Sequence, residues 1–233
     1  MVLPSELTDS KVKKAGRTLR RTIRGEIPIT DPRVEEAKDI AQTFRALHQK
    51  PLAKANMGLR SMVQTSGCQV EVSQRMKRWA TILDKLMREP QLPLHKMQDI
   101  GGCRAILNSV DEIRRVESRI KKNRPVTGYS DYIAEPRASG YRGVHVVVLY
   151  DDRQIEIQLR TWVMHEWAIT VERLASRVGT HLKSDGTHAI QLLMAAISEA
   201  MALEEQGKIV PEDLQSEIQR RRLVADPYLK GTA

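Results

Sequence analysis

The feature that most constrains the fold is a pair of alternating segments joined by a tight turn. Residues 144–150, VHVVVLY, and residues 155–160, IEIQLR, flank the polar stretch DDRQ, a pattern that predicts a β-hairpin. In the second segment the apolar side chains share one face of the strand, and the other face carries Glu156, Gln158 and Arg160. That polar face belongs either to solvent or to a ligand, and the strand alone does not decide between them.

Around the hairpin, the chain alternates between strand and helix patterns. Apolar alternation predicts strands at 69–74 and 102–110. Apolar residues at helical spacing predict helices at 75–89, 111–123, 162–175, 187–206 and 211–222. We therefore expect an α+β fold in which a mixed sheet is flanked by helices.

The N-terminal third is predicted to be helical. Residues 11–24, KVKKAGRTLRRTIR, hold seven basic residues and no acidic one, with apolar residues at helical spacing. This pattern predicts an amphipathic helix with a wholly cationic outer face, either solvated or able to bind a polyanion. Asp31 and Pro32 have the character of an N-cap followed by a first-turn proline, opening a helix to about His48. A further helix is expected at 51–65.

Composition narrows the function class. The formal net charge of +9 favours polyanionic partners such as nucleotides or RNA, while 4% aromatic residues argues against a sheet built for base stacking. The two cysteines, Cys68 and Cys103, form no CxxC pair, so neither a disulfide framework nor a zinc site is indicated. There is no apolar run of transmembrane length and no signal-peptide pattern, so we expect a cytoplasmic protein without a membrane partner.

Two carboxylates are candidates for a metal site. Asp99 directly precedes the glycine-containing strand IGGCRAI, and Glu156 lies on the polar face of the hairpin strand. Magnesium favours one or two carboxylates together with substrate phosphates. The pair therefore predicts a Mg²⁺ site, with a simple turn-capping role for Asp99 as the alternative.

Basic residues upstream are candidates for phosphate binding. On a helix beginning near residue 75, Lys77, Thr81 and Lys85 would form one stripe at i, i+4 and i+8. Such a stripe could line a polyphosphate tail or be a solvated surface. The sequence contains no Walker A loop, which excludes a P-loop NTPase.

The order of these motifs resembles the synthetase domain of the RelA/SpoT family over roughly residues 69–175. The motifs are Arg75-x-Lys77 with Thr81 and Lys85, Asp99-Ile-x-Gly-x-Arg104, Asp131-Tyr132 followed by Gly140-Tyr141-Arg142-x-x-His145, and Glu156-Ile-Gln158-Leu-Arg160-Thr161. The resemblance implies a nucleotidyltransferase-like synthetase domain at 67–180, between a helical N-terminal extension, 1–66, and C-terminal helices, 181–233.

The resemblance also implies an activity and a donor site. Family members transfer the β,γ-pyrophosphate of ATP to the 3′-hydroxyl of GDP or GTP, producing (p)ppGpp and AMP in the stringent response. Carried over by motif, Arg75 and Arg104 would sandwich the adenine of ATP. Its phosphates would be held by Lys77, Thr81 and Lys85. The catalytic pair, Asp99 and Glu156, would bind Mg²⁺, and Glu156 would help to deprotonate the attacking hydroxyl.

For the acceptor, the resemblance implies that Tyr141 stacks on the purine base. It therefore predicts an exposed tyrosine ring on a glycine-hinged loop that closes over the nucleotide. The other acceptor-binding residues it implies are Arg137, His145, Gln158 and His165. Four positions depart from the family pattern: Thr81 for Ser, Arg137 for Lys, Gly143 for Ser, and His165 for Asn.

Three alternatives stay open. Some short family members are toxins that pyrophosphorylate the 3′-CCA end of tRNA, and others make (p)ppApp. The basic segment 11–24 would suit an RNA acceptor. A non-catalytic basic RNA-binding module is the alternative from outside the enzymes, although the presence of both Asp99 and Glu156 speaks against it. An antitoxin protein and self-association are the further partners that the resemblance leaves open.

Overall fold

The computed structural model describes residues 3, 6–178, 182 and 187–230, which build a mixed five-stranded sheet flanked by helices. The strands are β1 (Val72–Met76), β2 (Gly101–Leu107), β3 (Val126–Asp131), β4 (Val144–Tyr150) and β5 (Arg153–Thr161). The helices are α1 (Asp9–Ile23), α2 (Pro32–Ala46), α3 (Gln49–Thr65), α4 (Trp79–Arg88), α5 (Val110–Asn123), α6 (Trp162–Val178), α7 (Ala189–Glu205) and α8 (Glu212–Lys230), with a 3₁₀ turn at Leu94–Lys96. The predicted α+β class is confirmed.

The sheet has the strand order β1-β2-β5-β4-β3. Strands β2 and β5 are parallel, and every other neighbouring pair is antiparallel. The predicted hairpin is formed by β4 and β5. Its turn places Asp151 and Asp152 at positive φ values of 47° and 58°, the backbone twist that suits a two-residue hairpin. The central parallel pair places matching positions of β2 and β5 side by side, which becomes important at the site.

One face of the sheet is the main core. Alternate side chains of β2 and β5 are buried there against α3 and α5, for example Cys103 and Ile157 against Leu59 and Ile113. Removing this apolar surface from water is the main stabilising contribution. The same alternation directs the polar residues of both strands to the opposite face.

The N-terminal helices pack on α4 in a second apolar cluster. As expected, Asp31 caps α2, its carboxylate accepting a hydrogen bond from the Arg33 amide at 2.9 Å. The cationic outer face of α1 is not complete, however, because Arg20 turns inward. Its guanidinium donates to the carbonyl oxygens of Leu86 at 2.7 Å and Leu92 at 2.8 Å, and so caps the end of α4 and the following turn.

The C-terminal helices α6, α7 and α8 form a third apolar cluster. Helix α8 is longer than the predicted 211–222, because Ala225 is buried against its neighbours and keeps the last turns helical. The expected domain boundary at 180/181 lies outside the described residues. No helix within the described part of the chain is long and apolar enough to cross a membrane.

Candidate active site

A cleft of about 640 Å³, part of it open to solvent, lies on the polar face of the sheet. Its lining includes five residues that the sequence predicted, Arg75, Asp99, Arg104, Glu156 and Gln158. Its lining also includes Ser73, Gln74, Gly102, Cys103 and Glu172, which were not predicted.

Strand register explains why distant residues meet in the cleft. In the parallel β2–β5 pair, Gly102 lies beside Glu156 and Arg104 lies beside Gln158. Because side chains alternate along a strand, these positions share one face. A Cβ at Gly102 would meet only the Glu156 carbonyl oxygen, at 3.6 Å, so the glycine leaves the floor of the cleft low and accessible.

The predicted helix at 75–89 is wrong at its start. Arg75 belongs to strand β1, where it pairs with Gly102, and α4 begins only at Trp79. Lys77 lies in the connection between them, its amide donating to the Ile100 carbonyl at 2.8 Å. The backbone ladder with β2 thus overrides the helical spacing. Only Thr81 and Lys85 share a stripe on α4.

Both lysines nevertheless reach the same carboxylate. The Nζ of Lys77 donates to Oδ2 of Asp99 at 2.7 Å, and the Nζ of Lys85 donates to Oδ1 at 3.1 Å. All three side chains are mostly buried, at 10%, 20% and 21% exposure in the order Lys77, Lys85, Asp99. The two lysines thus place two positive charges before the start of β2. Lys85 lies one turn along α4 from the hydroxyl of Thr81.

Glu156 is held on both carboxylate oxygens. Nδ1 of His145 lies 3.0 Å from Oε1, and Nε2 of Gln158 donates to Oε2 at 2.6 Å. Burial raises the pKa of Glu156 and is the largest single effect, but the hydrogen bond and charge of His145 act against it. Together with Gln158 and Lys85 they lower the pKa to about 2, so the group is ionised at neutral pH.

The two arginines expected at adenine differ in exposure. Arg75 is exposed on the outermost strand, whereas Arg104 is half-buried and its Nε has no hydrogen-bond partner within the described residues. Burial, followed by the charges of Arg160 and Arg75, lowers the pKa of Arg104. Both guanidinium groups therefore border the cleft, and a donor N–H is left for a ligand.

Tyr141 is not exposed as expected, while its stacking on the acceptor base stays a prediction. Its side chain is 5% exposed and packs in the third apolar cluster, edge-on to Tyr132 and His145. The glycine beside it is no free hinge, because Gly140 has φ +86° and a Cβ there would lie 2.7 Å from Cα of Ala195 on α7. Packing against α7 encloses the ring, an effect with no signal in the loop sequence.

The remaining acceptor candidates lie at the edge of the site. Arg137 is exposed, donates to the Tyr132 hydroxyl at 2.6 Å and stacks over that ring. His165 is buried on α6, and burial, followed by the charges of Arg104 and Arg160, lowers its pKa. Neither Arg137 nor His165 is among the described residues that line the cleft. His145 contacts the site through Glu156.

Glu172 is the cleft residue that sequence reasoning missed most plainly. It lies on α6, and its negative charge raises the pKa of Arg104. Its spacing of seven residues from His165 is two helical turns, which places both on one face of the helix. That spacing was the signal available in the sequence.

Cys103 lies on β2 between two cleft residues, but its side chain is on the opposite face of the sheet, in the main core. Its side chain is buried, and burial raises the pKa of the thiol to about 12, against a smaller lowering by Asn56. A thiol with this pKa stays protonated at neutral pH, and the thiolate is the reactive form. Covalent thiol chemistry is thereby excluded for the site.

The donor set fits a hard metal ion that shares its shell with a substrate. Asp99 and Glu156 offer two carboxylates to one cleft, and the open space over Gly102 lies beside them. Among the described residues no group of three or more His, Cys, Asp or Glu side chains is placed to hold a metal alone. Two carboxylates with phosphates and water are the usual ligands of Mg²⁺.

Comparison with known proteins agrees with this geometry. Residues 74–175 match a family profile described as a region found in RelA / SpoT proteins. The matched stretch is therefore similar to this region of the RelA and SpoT proteins. It contains the entire sheet apart from the first residues of β1, and with it every cleft residue except Ser73.

Two curated proteins are similar to the same part of the chain. GTP pyrophosphokinase YjbM of Bacillus subtilis is 41% identical over 114 residues, which are 43% of this chain and 53% of that protein. A guanosine-3′,5′-bis(diphosphate) 3′-pyrophosphohydrolase of Aquifex aeolicus is 35% identical over 113 residues, 47% of this chain and 16% of that protein. The chain thus spans about half the length of the first relative and about a sixth of the length of the second.

The solved structures of small alarmone synthetases share the fold. Small alarmone synthetase 1 of Bacillus subtilis bound to its product pppGpp superimposes with a TM-score of 0.60 at 27% identity. The superposition covers 71% of this chain and 94% of that protein.

Proposed function

We propose that this chain is an ATP-dependent pyrophosphokinase. It transfers the β,γ-pyrophosphate of ATP to the 3′-hydroxyl of GDP or GTP, giving (p)ppGpp and AMP. The observation that carries the proposal is the single cleft that joins Asp99 and Glu156 to Arg75 and Arg104, with two lysines on Asp99. The names of its relatives, a GTP pyrophosphokinase and a synthetase whose product is pppGpp, support the same reaction.

Cations on the β1–β2 side suit the donor nucleotide. The flat guanidinium groups of Arg75 and Arg104 can stack on adenine while remaining charged. Lys77 and Lys85 end beside the metal ligands, where the triphosphate must lie, and Thr81 adds a hydroxyl one turn away. In-line transfer depends mainly on such positioning and charge neutralisation.

Magnesium, when bound by Asp99 and Glu156, would supply charge neutralisation to the phosphate oxygens. Lys77 and Lys85 now neutralise Asp99, and both must turn toward the phosphates when a nucleotide enters. Their flexible stems permit this exchange of partners.

Glu156 has a second role at the acceptor hydroxyl. With a pKa of about 2 it is ionised and can accept a hydrogen bond from the 3′-hydroxyl, but it is a weak proton acceptor. We therefore assign it to orientation of the hydroxyl more than to early proton removal. A loose transition state, in which the phosphoryl group carries most of the charge, requires no strong base.

The test is transfer of label from ATP. The protein is incubated with Mg²⁺ and γ-³²P-ATP, and separately with GDP, GTP, unlabelled ATP and deacylated tRNA. Label on GDP or GTP is the expected result. Label on tRNA alone would support the RNA-acceptor alternative. Label in newly formed (p)ppApp would support the adenosine-acceptor alternative. Label transferred to no acceptor would support a non-catalytic module.

A further inference from the structure

A closed ring of hydrogen bonds connects Glu156 to the loop that carries Tyr141. Nη2 of Arg160 donates to Oη of Tyr141 at 2.7 Å, and that oxygen lies 2.5 Å from Nε2 of His145. Nδ1 of His145 contacts Oε1 of Glu156 at 3.0 Å. On the return path, Gln158 donates to Oε2 of Glu156 at 2.6 Å and accepts from Arg160 at 3.0 Å.

The donors and acceptors of this ring allow one arrangement for a neutral imidazole. Arg160 can only donate, so the hydroxyl oxygen of Tyr141 accepts from it. The hydroxyl hydrogen is then free to point at Nε2 of His145, which acts as the acceptor. Nδ1 of His145 then carries the imidazole hydrogen and donates a hydrogen bond to the Glu156 carboxylate. This assignment follows from the network and gives every contact within the ring one donor and one acceptor.

The hydrogen-bonded ring has two buried members and is held in place by a contact with α7. Tyr141 is 5% exposed and Arg160 is 4% exposed. The loop around Tyr141 is tied to α7, where Ser198 donates to the Gly140 carbonyl at 2.6 Å. Hydrogen bonds in such low-dielectric surroundings are stronger and more directional than at the surface.

We propose that Tyr141 and Arg160 are positioning residues that act on Glu156 through His145 and Gln158. Tyr141 contributes its hydroxyl group to this network, a role that is independent of any contact between its aromatic ring and the acceptor base. The proposal rests on the proposed function, because it assigns the ring to the carboxylate that orients the acceptor hydroxyl. Its physical basis is that a misplacement of about 1 Å at a reacting group can cost roughly 100-fold in rate.

Kinetics of two Tyr141 variants separate the hydroxyl from the ring. Tyr141→Phe keeps the ring and removes the hydroxyl, so it should lower kcat by about 10- to 100-fold with the KM values for ATP and the guanine nucleotide nearly unchanged. A stacking role predicts a nearly wild-type Phe variant and a large loss only in Tyr141→Leu. Tyr129→Phe is the matched control and should behave as wild type, because the Tyr129 hydroxyl bonds to Glu117 and Asp131, both outside the hydrogen-bonded ring.

Nitrogen-15 NMR of the histidines tests the ring without any turnover. The wild-type His145 signals, assigned by their loss in His145→Gln, should show a proton on Nδ1 and a hydrogen-bonded, unprotonated Nε2. Tyr141→Phe should shift the nitrogen-15 signal of Nε2, which loses its hydrogen bond from the tyrosine hydroxyl, while Nδ1 stays protonated because Glu156 still accepts from it. An unchanged Nε2 signal, or an unchanged kcat, in Tyr141→Phe would overturn the proposal. If wild-type protein labels no nucleotide, the proposed function is wrong. The NMR comparison of wild type with Tyr141→Phe would still test the hydrogen-bonded ring.

Discussion

The two halves of the site are built differently. The donor half, on β1, β2 and α4, is an open cleft with cations at its edge, and a glycine keeps its floor low. The acceptor half, on β4, β5 and the loop before β4, is closed by α7 and stabilised by the ring through Tyr141. The comparison teaches that one half is open and needs only its two lysines to change partners when a nucleotide enters, whereas the other is organised around holding one carboxylate.

Loss of either carboxylate should have the largest effect, because Asp99 and Glu156 lie where the halves meet. Glu156→Gln and Asp99→Asn should each lower pyrophosphate transfer by roughly 10²- to 10⁴-fold, measured as initial rate. Asp151→Asn is the matched control, since this exposed turn residue pairs only with Lys54 on the far side of the hairpin and should leave the rate unchanged. Near wild-type turnover in either carboxylate variant would show that the cleft is not the site of pyrophosphate transfer.

The acceptor half should also show a pH dependence of stability. The pKa of Glu156 is about 2 when folded, against 4.5 for an ordinary glutamate, so folding favours its ionised form. This contribution, no more than about 3 kcal/mol, is fully present above pH 4.5 and is lost as the pH falls toward 2. Urea unfolding of wild type and Glu156→Gln should therefore show a stability difference that shrinks below pH 4.5. A difference that stays constant down to pH 3 would contradict the ring's hold on this carboxylate.

Breaking the contact between the loop and α7 should open the acceptor half selectively. Gly140→Ala adds a Cβ 2.7 Å from backbone on α7 at a φ of +86°, and should cost about 2 kcal/mol or more of unfolding free energy. Gly25→Ala has a similar φ of +75° with open space around it, so it should cost only about 1 kcal/mol. Equal losses in the two variants would mean that the contact with α7 adds nothing.

The donor half should respond in ATP affinity alone. Arg75→Ala should raise the KM for ATP by about tenfold, which is about 1.4 kcal/mol, and leave the KM for the guanine nucleotide unchanged. Arg75→Lys should not restore it, because an ammonium group cannot stack on adenine as a plane. Rescue by lysine would show that charge, and not stacking, holds the base.

The difference between the halves also explains what the sequence could predict. The hairpin, the polar face of β5 and the place of Asp99 before β2 depend on local alternation, and the structure agrees with each of them. The start of α4 was wrong because the pairing of Arg75 with Gly102 is a long-range backbone contact. The burial of Tyr141 was missed for a similar reason, since it depends on α7, which begins about fifty residues further along the chain.

The sequence also contained signals that were not used. The seven-residue spacing of His165 and Glu172 was sufficient to place both on one face of α6. The inward turn of Arg20 was not predictable, because its partners are carbonyl oxygens of residues 86 and 92. Local patterns determine strands and motif order, whereas the enclosure of a side chain depends on which helix packs over it.

The most direct measurement of the central claim is the stoichiometry of the products. Protein incubated with ATP, GDP and Mg²⁺ is sampled over time, and the nucleotides are separated and identified by mass. Because the β,γ-pyrophosphate moves as one unit, AMP and ppGpp should appear in equal amounts and at equal rates. Formation of ADP instead of AMP, or of AMP without ppGpp, would contradict pyrophosphate transfer to the guanine nucleotide.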